Sequence, residues 1–256
     1  MKLSTVILAK NEEKHLGRAI ESVEFSNEII VVDDFSTDRT GEIAKGMGAI
    51  VYQRRLNDNF SRQRNFGLQK SRGDWVLFLD ADEFLEKKLQ EEIKKAISNS
   101  TEISAFYIKR RDYMWGSELK YGELRKLRNK GLIRLVKRDS GKWSAPVHET
   151  FQTFSSIGQL NSYINHFPHQ SLKEFLEEIN FYSSLRAKEL QQQGKKPSLL
   201  EIAIFPTAKF ILNYFLRLGF LDGPVGFLYA FMMSFHSFLV RAKLYQYVKL
   251  NTQRER

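Results

Sequence analysis

The chain has 256 residues, 42% of them hydrophobic, and a formal net charge of +10. This length supports one globular domain with a sizeable core, plus an appendage. There is no cysteine, which excludes disulfides, thiolate zinc sites and a cysteine nucleophile and fits a reducing cytoplasm. The basic charge is typical of proteins that bind nucleic acid, anionic membranes or phosphorylated ligands, and it also fits an ordinary solvated surface.

The first hundred residues alternate short apolar runs with helical patterns. Runs of this kind predict parallel strands buried on both faces, over residues 3–9, 28–34, 49–53 and 74–80. Asn11 is expected to cap the first intervening helix, and two more helices are expected over 38–47 and 60–71. This order predicts an α/β layered domain with right-handed crossovers.

The remainder of the chain divides into two parts. Residues 101–165 contain strand-like segments that are expected to complete the sheet and to form one wall of a ligand site. From Ser171 onward the pattern is helical, and Ser171 with Glu174 forms a capping box. We therefore predict a domain over 1–168 and a C-terminal helical region over 169–256.

Acidic residues crowd the predicted strand ends. The stretch DWVLFLDADEF ends an apolar run with Asp80, Asp82 and Glu83, and the first two strands end in AKNEE and VDDFSTD. The carboxyl ends of parallel strands share one edge of a sheet, where ligands bind. Carboxylates at such an edge favour Mg²⁺ or Mn²⁺ bridging to phosphate oxygens. The alternative is that these acids only form turns and cap helices.

Two longer stretches carry a family resemblance. VVDDFSTDRT, followed by RQRNFGLQKSRGDWVLFLDADE, resembles the family 2 glycosyltransferases of the GT-A fold. The segments WSAPVHE and KELQQQGKKP and the apolar stretch 210–244 resemble lipopolysaccharide inner-core β-1,4-glucosyltransferases. The resemblance implies a Rossmann-like nucleotide-binding mixed sheet flanked by helices, with a C-terminal helical extension that associates with a membrane.

The resemblance also implies a set of nucleotide contacts. Asp34 would hydrogen-bond the uracil ring of a UDP-sugar, and Asp33 would either assist or only shape the turn. The backbone around Ala9 and Asn11 would flank the nucleoside, although Asn11 as a plain helix cap explains the residue equally well. Arg64 would approach the nucleotide from the helix before the fourth strand, with a surface cation as the alternative.

The same resemblance assigns roles in the chemistry to four acids. Asp80 would contact the ribose or the sugar, and Asp82 would ligate the Mg²⁺ or Mn²⁺ that bridges the two phosphates. Glu83 would only support them. Glu149 would be the general base that deprotonates the acceptor hydroxyl during inverting transfer.

Several basic residues are candidates for ligand contacts, and for some of them a structural role is the alternative. Arg134 and Lys137 are candidates for contact with the diphosphate or an anionic acceptor. His148 would orient the acceptor or approach the metal, and a packed histidine at a strand end explains it equally well. His166 and His169 could contact a metal or phosphate, and a structural role is favoured for both.

The implied function is transfer of a hexose, by resemblance glucose, from a UDP-sugar to a lipid-linked saccharide of the lipopolysaccharide inner core. Other donors and other acceptors, such as polyprenyl phosphate, capsule or protein glycans, stay open. A nucleotidyltransferase is a weaker alternative, because the glycine-rich basic loop that usually holds a triphosphate does not follow the first strand of this sequence. A nucleic-acid binder would not gather acids at strand ends, so no nucleic-acid partner is expected.

The C-terminal tail is strongly apolar over 198–248, and residues 223–240 contain no Asp, Glu, Lys or Arg. Gly, Pro, Ser and His interrupt that run, and basic residues follow it. This pattern favours an interfacial anchor, so we expect a peripheral protein on the cytoplasmic face of the inner membrane. A homo-oligomer interface, packing on the domain and a true membrane span remain alternatives.

Overall fold

The computed structural model describes residues 1–99, 102–146, 149–196 and 198–254. Within it the chain forms two compact units. The first unit contains residues 1–111 and 126–167, and the second contains residues 112–125 and 168–256. The prediction of a catalytic domain over 1–168 and a membrane-associating region over 169–256 stays a prediction.

The strands run in chain order from β1 to β11. They are β1 Leu3–Ala9, β2 Glu28–Asp33, β3 Ile50–Gln53, β4 Trp75–Asp80, β5 Glu83–Leu85, β6 Ile103–Met114, β7 Ser117–Leu119, β8 Leu132–Lys137, β9 Gly141–Ser144, β10 Thr150–Thr153 and β11 Ser156–His166. The order in the main sheet is β3-β2-β1-β4-β8-β6-β11-β5, with β7 paired to the end of β6, while β9 and β10 form a separate hairpin.

The α-helices follow the same order. They are α1 Leu16–Glu21, α2 Thr40–Gly46, α3 Phe60–Lys70, α4 Lys87–Asn99, α5 Arg125–Asn129, α6 Leu172–Gln192, α7 Leu199–Ile211 and α8 Gly223–Arg254. A π-helical turn, Leu212–Leu216, extends α7, and 3₁₀ turns cover Gly122–Leu124 and Gly219–Asp222.

The parallel strands β1, β2 and β4 lie in the core, and the fourth parallel strand, β3, is an edge of the sheet. Strand β1 pairs in parallel with both β2 and β4, and β2 pairs in parallel with β3. Strand β4 then meets β8 antiparallel. All five residues from Trp75 to Leu79 are fully buried, which explains why this strand is a continuous apolar run. The predicted parallel α/β core is confirmed, and the sheet is mixed.

The cap predicted for Asn11 is wrong. Helix α1 begins only at Leu16, and its N-cap residue, His15, makes no side-chain cap. Asn11 instead has φ 55°, and its Oδ1 accepts hydrogen bonds from the backbone and hydroxyl of Thr37. Asparagine tolerates the left-handed conformation, so this residue turns the chain after β1 and ties it to the loop after β2.

The second unit is mainly helical. Helix α6 is capped by Ser171, whose Oγ accepts from the Glu174 amide at 3.1 Å, as its sequence predicts. Helix α7 packs antiparallel to α8, with Ser234 Oγ donating to the Pro206 carbonyl at 2.6 Å. Two segments, Leu199–Leu216 and Gly219–Leu250, are long and apolar enough to cross a membrane, by length and composition.

Candidate active site

The loops after β1 and β2 are joined to each other by side chains. Asp33, at the end of β2, is 2% exposed, and its Oδ1 accepts from the Ser36 amide at 3.0 Å and from the Ser36 hydroxyl. Ser36 Oγ in turn accepts from the Asn11 amide at 2.9 Å. These contacts show that Asp33 shapes the turn; its role as a nucleotide ligand stays a prediction.

The neighbouring acid, Asp34, faces a different environment. Its amide donates to the Ala9 carbonyl at 2.9 Å, which joins the ends of β1 and β2. One carboxylate oxygen accepts from the Leu56 amide at 2.9 Å, and the other pairs with Lys10 Nζ at 2.7 Å. Lys10 is largely exposed, so the Asp34 carboxylate is held by a backbone amide on one oxygen and by a solvent-exposed cation on the other.

A buried ion-pair network lies beyond the end of β4. Arg64 Nη2 donates to Asp80 Oδ1 at 3.0 Å, and Arg64 Nε donates to Glu149 Oε1 at 2.6 Å. The Arg64 side chain is only 5% exposed. One guanidinium therefore links the predicted sugar-binding acid to the predicted base, and Arg64 is not the surface cation that was its alternative.

The packing of α3 explains why these distant residues meet. Gly67 lies where a Cβ would collide with Val6 of β1, so glycine allows α3 to sit close to the sheet. Asn65 exchanges two 2.9 Å hydrogen bonds with the backbone of Trp143 in β9. The Phe60 amide also donates to the Pro146 carbonyl at 2.9 Å. Helix α3 thereby holds the β9–β10 hairpin, which carries Glu149.

A second arginine supports the acids from β8. Arg134 Nη2 donates to Asp80 Oδ2 at 2.6 Å and to Glu83 Oε1 at 2.8 Å. Glu83 is fully buried, and it also accepts from the Asp80 amide at 3.0 Å and contacts Arg110 at 3.5 Å. Arg134 therefore lies beneath Asp80 rather than on an open diphosphate surface. The supporting role expected for Glu83 matches these contacts.

The network shifts the pKa values of its members in opposite directions. Burial acts to raise the pKa of Asp80, but the Arg134 and Arg64 guanidinium groups outweigh it and hold that pKa well below its usual range. Burial raises the pKa of Glu83, with the neighbouring Asp80 charge adding to the effect. Asp80 is therefore a fixed anion at neutral pH.

Asp82, the residue predicted to ligate a metal, pairs with His166. His166 Nε2 lies 3.0 Å from Asp82 Oδ2, and the imidazole holds the pKa of Asp82 below its usual range against the effect of burial. Among the described residues no cluster of three or more His, Asp or Glu ligands forms. One carboxylate beside an imidazole fits an ion that takes its other ligands from phosphate and water.

The remaining candidates fall elsewhere. His148 lies outside the described residues. His169 belongs to the second unit, where Nδ1 lies 3.3 Å from Glu178 and the ring stacks on Phe175, so the favoured structural role fits its contacts. Lys137 Nζ lies 5.6 Å from the centre of the Trp75 ring. The sequence did not single out Arg110, which only its position opposite Glu83 reveals.

Comparison with known proteins identifies the family. Residues 4–154, which contain the strand-end acids, Arg64 and Glu149, match the family model described as glycosyl transferase family 2. The chain belongs to glycosyl transferase family 2. The predicted family is confirmed.

Relatives of similar length extend the match over most of the chain. The lipopolysaccharide core biosynthesis glycosyltransferase LpsC of Rhizobium meliloti (strain 1021) is 31% identical over 251 residues, covering 95% of this chain and 92% of the relative. An uncharacterized glycosyltransferase of Rickettsia bellii (strain RML369-C) is 34% identical over 254 residues, covering 95% and 86%. The resemblance to lipopolysaccharide core transferases is therefore confirmed.

Solved structures establish the fold of this glycosyltransferase. A glucosyl-3-phosphoglycerate synthase from Mycobacterium tuberculosis, in complex with Mn²⁺, UDP and phosphoglyceric acid, has a TM-score of 0.50 and 19% identity, covering 77% of this chain and 80% of that one. A mannosyl-3-phosphoglycerate synthase from Rubrobacter xylanophilus gives 0.51 and 17%, covering 78% and 77%. The GT-A fold with a C-terminal extension of long apolar helices is confirmed.

Proposed function

We propose that this glycosyltransferase transfers a hexose, with inversion, from a UDP-sugar to a lipid-linked saccharide of the lipopolysaccharide inner core. The observation that carries the proposal is Arg64, which bonds both Asp80 and Glu149. These two hydrogen bonds hold the proposed donor-side acid and the proposed base in one ion-pair network. Glucose is the proposed sugar, because the sequence resembles inner-core glucosyltransferases.

The donor side rests on the two loops that follow β1 and β2. Asp34, with its carboxylate fixed by the Leu56 amide, would accept from the uracil ring, and Lys10 would move aside or turn to the phosphates. The backbone of Ala9 and Asn11 would border the nucleoside. A synthase with a similar fold holds UDP and Mn²⁺, which supports a nucleotide and a divalent cation as ligands here.

Asp82 and His166 would hold the divalent cation, Mg²⁺ or Mn²⁺, together with the diphosphate oxygens. When bound, the ion would neutralise the negative charge that develops on the departing UDP. Asp80, fixed by two arginines, would contact the ribose or the sugar. Arg64 Nη1 is buried without a hydrogen-bond partner among the described residues, so it is a spare donor for an oxygen of a bound ligand.

The base would be Glu149. Its Oε1 accepts from Arg64, and its side chain is 15% exposed, so the carboxylate is oriented by one oxygen. The other oxygen would take the proton of the acceptor hydroxyl as that hydroxyl attacks the anomeric carbon from the face opposite UDP. Arg64 would keep the carboxylate in position during this transfer.

The acceptor is proposed from the relative LpsC, whose name assigns it to lipopolysaccharide core biosynthesis, and from the exposed apolar helices of the second unit. A lipid-linked acceptor would bring the enzyme to the cytoplasmic face of the inner membrane as a peripheral protein. A homo-oligomer interface is the alternative use of the same helices.

The experiment is a panel of UDP-sugars incubated with the purified enzyme, Mg²⁺ or Mn²⁺, and membranes carrying truncated lipopolysaccharide. Mass spectrometry of the lipid product should show one added hexose, with UDP-glucose as donor, and EDTA should abolish the addition. UDP-sugar hydrolysis without lipid modification would contradict the proposed acceptor. No turnover of any UDP-sugar would contradict the proposed donor.

A further inference from the structure

The α7–α8 hairpin, residues 199–240, exposes an unusually large apolar surface. Within the window Leu199–Leu216 only 6% of residues are buried. Folded proteins rarely leave large contiguous apolar patches in water unless they bind something there. The most exposed members include Leu200, Phe205, Phe215, Leu216, Leu221 and Phe231.

The turn of this hairpin is hydrogen-bonded by the polar segment 117–124. Asp222, just before α8, accepts from the Lys120 and Tyr121 amides at 2.9–3.1 Å. Lys209 Nζ pairs with Glu123 at 3.3 Å, and the Gly122 amide donates to the Arg217 carbonyl. The segment 117–124 therefore binds Asp222 at the turn through backbone amides and pairs with Lys209 of α7 through Glu123.

The other end of α8 is bound by a charged helix. Lys243 Nζ donates to Asn180, Ser183 and Ser184 of α6 at 2.6–2.8 Å. Earlier along α8, Tyr229 stacks on Phe175 of α6 at 5.9 Å. Helix α6 thus runs beside α8. It carries many charged residues: Lys173, Glu174, Glu177, Glu178, Arg186, Lys188 and Glu189.

These contacts decide between a helix that crosses the bilayer and one that lies on it. From residue 223 to residue 243, α8 is about 30 Å long at 1.5 Å per residue, which is roughly the thickness of the hydrocarbon core. If α8 crossed the bilayer, one of the segments bound to it would enter the hydrocarbon. That segment would be either α6, with its charged residues, or the irregular segment 117–124. Both are disfavoured, because charged groups are costly there, and the segment 117–124 carries Glu118, Lys120 and Glu123.

We propose that the α7–α8 hairpin lies in the plane of an anionic membrane surface, with its exposed apolar face among the lipids and α6 on the side facing water. This inference rests on the membrane association in the proposed function and specifies its geometry. Arg217, exposed beside Leu216, would then contact lipid phosphate, as arginine does well.

Charge favours lipid over a second copy of the chain as the occupant. Residues 198–250 contain five basic residues and two acidic ones, Glu201 and Asp222. Asp222 is bound by backbone amides, Lys209 by Glu123 and Lys243 by α6, which leaves three basic residues, Arg217, Arg241 and Lys249, against one acid, Glu201. A two-fold dimer through this face would bring the same cationic side chains towards each other. An anionic lipid surface instead attracts them.

The absence of cysteine allows every position to be labelled singly. Leu200→Cys, Leu216→Cys and Phe231→Cys, each carrying an environment-sensitive fluorophore, report on the proposed lipid face. Glu177→Cys, on an exposed part of α6, is the control. The full chain is mixed with vesicles of phosphatidylglycerol and phosphatidylcholine that contain nitroxides at the headgroup, at a shallow acyl position or at the bilayer centre.

The proposal expects all three face labels to be quenched best by the shallow nitroxide, at similar depths, and the Glu177→Cys label to stay unquenched. Binding should weaken in high salt. Strongest quenching of the Phe231→Cys label from the bilayer centre would overturn it in favour of a span. No quenching at any face position, with a dimer in light scattering, would overturn it in favour of an oligomer. The depths are measured without substrate, so failure of sugar transfer would not alter them.

Discussion

Arg64 Nε donates to Glu149 Oε1 at 2.6 Å, between residues 85 positions apart in the chain. The same guanidinium bonds Asp80, so the acid that ends β4 and the acid that follows β9 are held by one cation. Because that cation is buried, it cannot change partners without disturbing both acids. The proposed function requires Asp80 to contact the donor while Glu149 deprotonates the acceptor hydroxyl in the same site.

The second buried arginine should be needed for stability. Among the described residues, Arg134→Ala leaves the fully buried Glu83 with its longer ion pair to Arg110, at 3.5 Å, and removes the cation that pairs with one oxygen of Asp80. Removing one partner of a buried ion pair typically costs about 3–5 kcal/mol. Urea unfolding followed by circular dichroism should show a loss of this size.

The matched control is Arg138→Ala. Arg138 contacts Asp139, which is 82% exposed, and such surface pairs contribute at most about 1 kcal/mol. Equal stability of Arg134→Ala and Arg138→Ala would contradict the supporting role assigned to Arg134.

Replacement of the two acids at the end of β2 should have different effects, one on UDP binding and the other on stability. Asp34→Ala should weaken UDP binding by about 1–3 kcal/mol, since a charge-assisted hydrogen bond to uracil would be lost. Asp33→Ala should mainly lower the free energy of unfolding, because its carboxylate holds Ser36. Calorimetry with UDP, alongside urea unfolding of both variants, measures the two effects. Unchanged affinity in Asp34→Ala would remove that residue from the site.

Binding of Mn²⁺ should depend on bound UDP and on the side chains of Asp82 and His166. Because the described part of the chain offers no three-ligand cluster, Mn²⁺ should bind weakly alone and more tightly with UDP. Asp82→Asn and His166→Gln should both reduce the UDP-dependent binding, measured by electron paramagnetic resonance of free Mn²⁺. His169→Gln is the control, since His169 pairs with Glu178 and should leave Mn²⁺ binding unchanged. Normal binding in Asp82→Asn would exclude its role as ligand.

Low pH should lower the free energy of unfolding of the first unit through protonation of Glu92. Burial acts to raise the pKa of Glu92, but the amides of Asn161 and Ser162 donate to its carboxylate and lower the pKa overall. A depressed folded-state pKa gives stability that is present above the unfolded value, about 4.3, and is lost as pH falls through the folded value.

Wild-type stability should therefore drop below about pH 4.3, and Glu92→Gln should drop less steeply. Unfolding in urea at several pH values between neutral and strongly acidic measures this. The neighbouring variant Glu91→Gln, at an exposed position, should keep the wild-type slope. Parallel curves for wild type and Glu92→Gln would show that the two amide hydrogen bonds do not shift the titration.

The sequence was most informative where local pattern decides structure. Burial on both faces makes β4 a continuous apolar run, so both the strand and the position of Asp80 at its end could be predicted. The capping of α6 by Ser171 depends on residues three positions apart and was equally readable.

Contacts between distant segments could not be read in this way. The meeting of Arg64 with Glu149 depends on how α3 packs on β1 and on the β9–β10 hairpin, through contacts such as those of Asn65 with Trp143. The role of Asn11 was mispredicted because its side chain serves the neighbouring loop, where Thr37 lies, and not the helix that follows it in sequence.

Replacement of the proposed base tests the central claim most directly. Glu149→Gln keeps the size of the side chain and an oxygen that can accept from Arg64, but it removes the basicity. UDP-sugar affinity, measured by calorimetry, should stay close to that of the wild type. The turnover number for hexose transfer to the lipid-linked acceptor should fall by about 10²–10⁴-fold, as expected on loss of a general base. Turnover within a few-fold of the wild type would contradict the account, and so would a loss of UDP-sugar binding as large as the loss of rate.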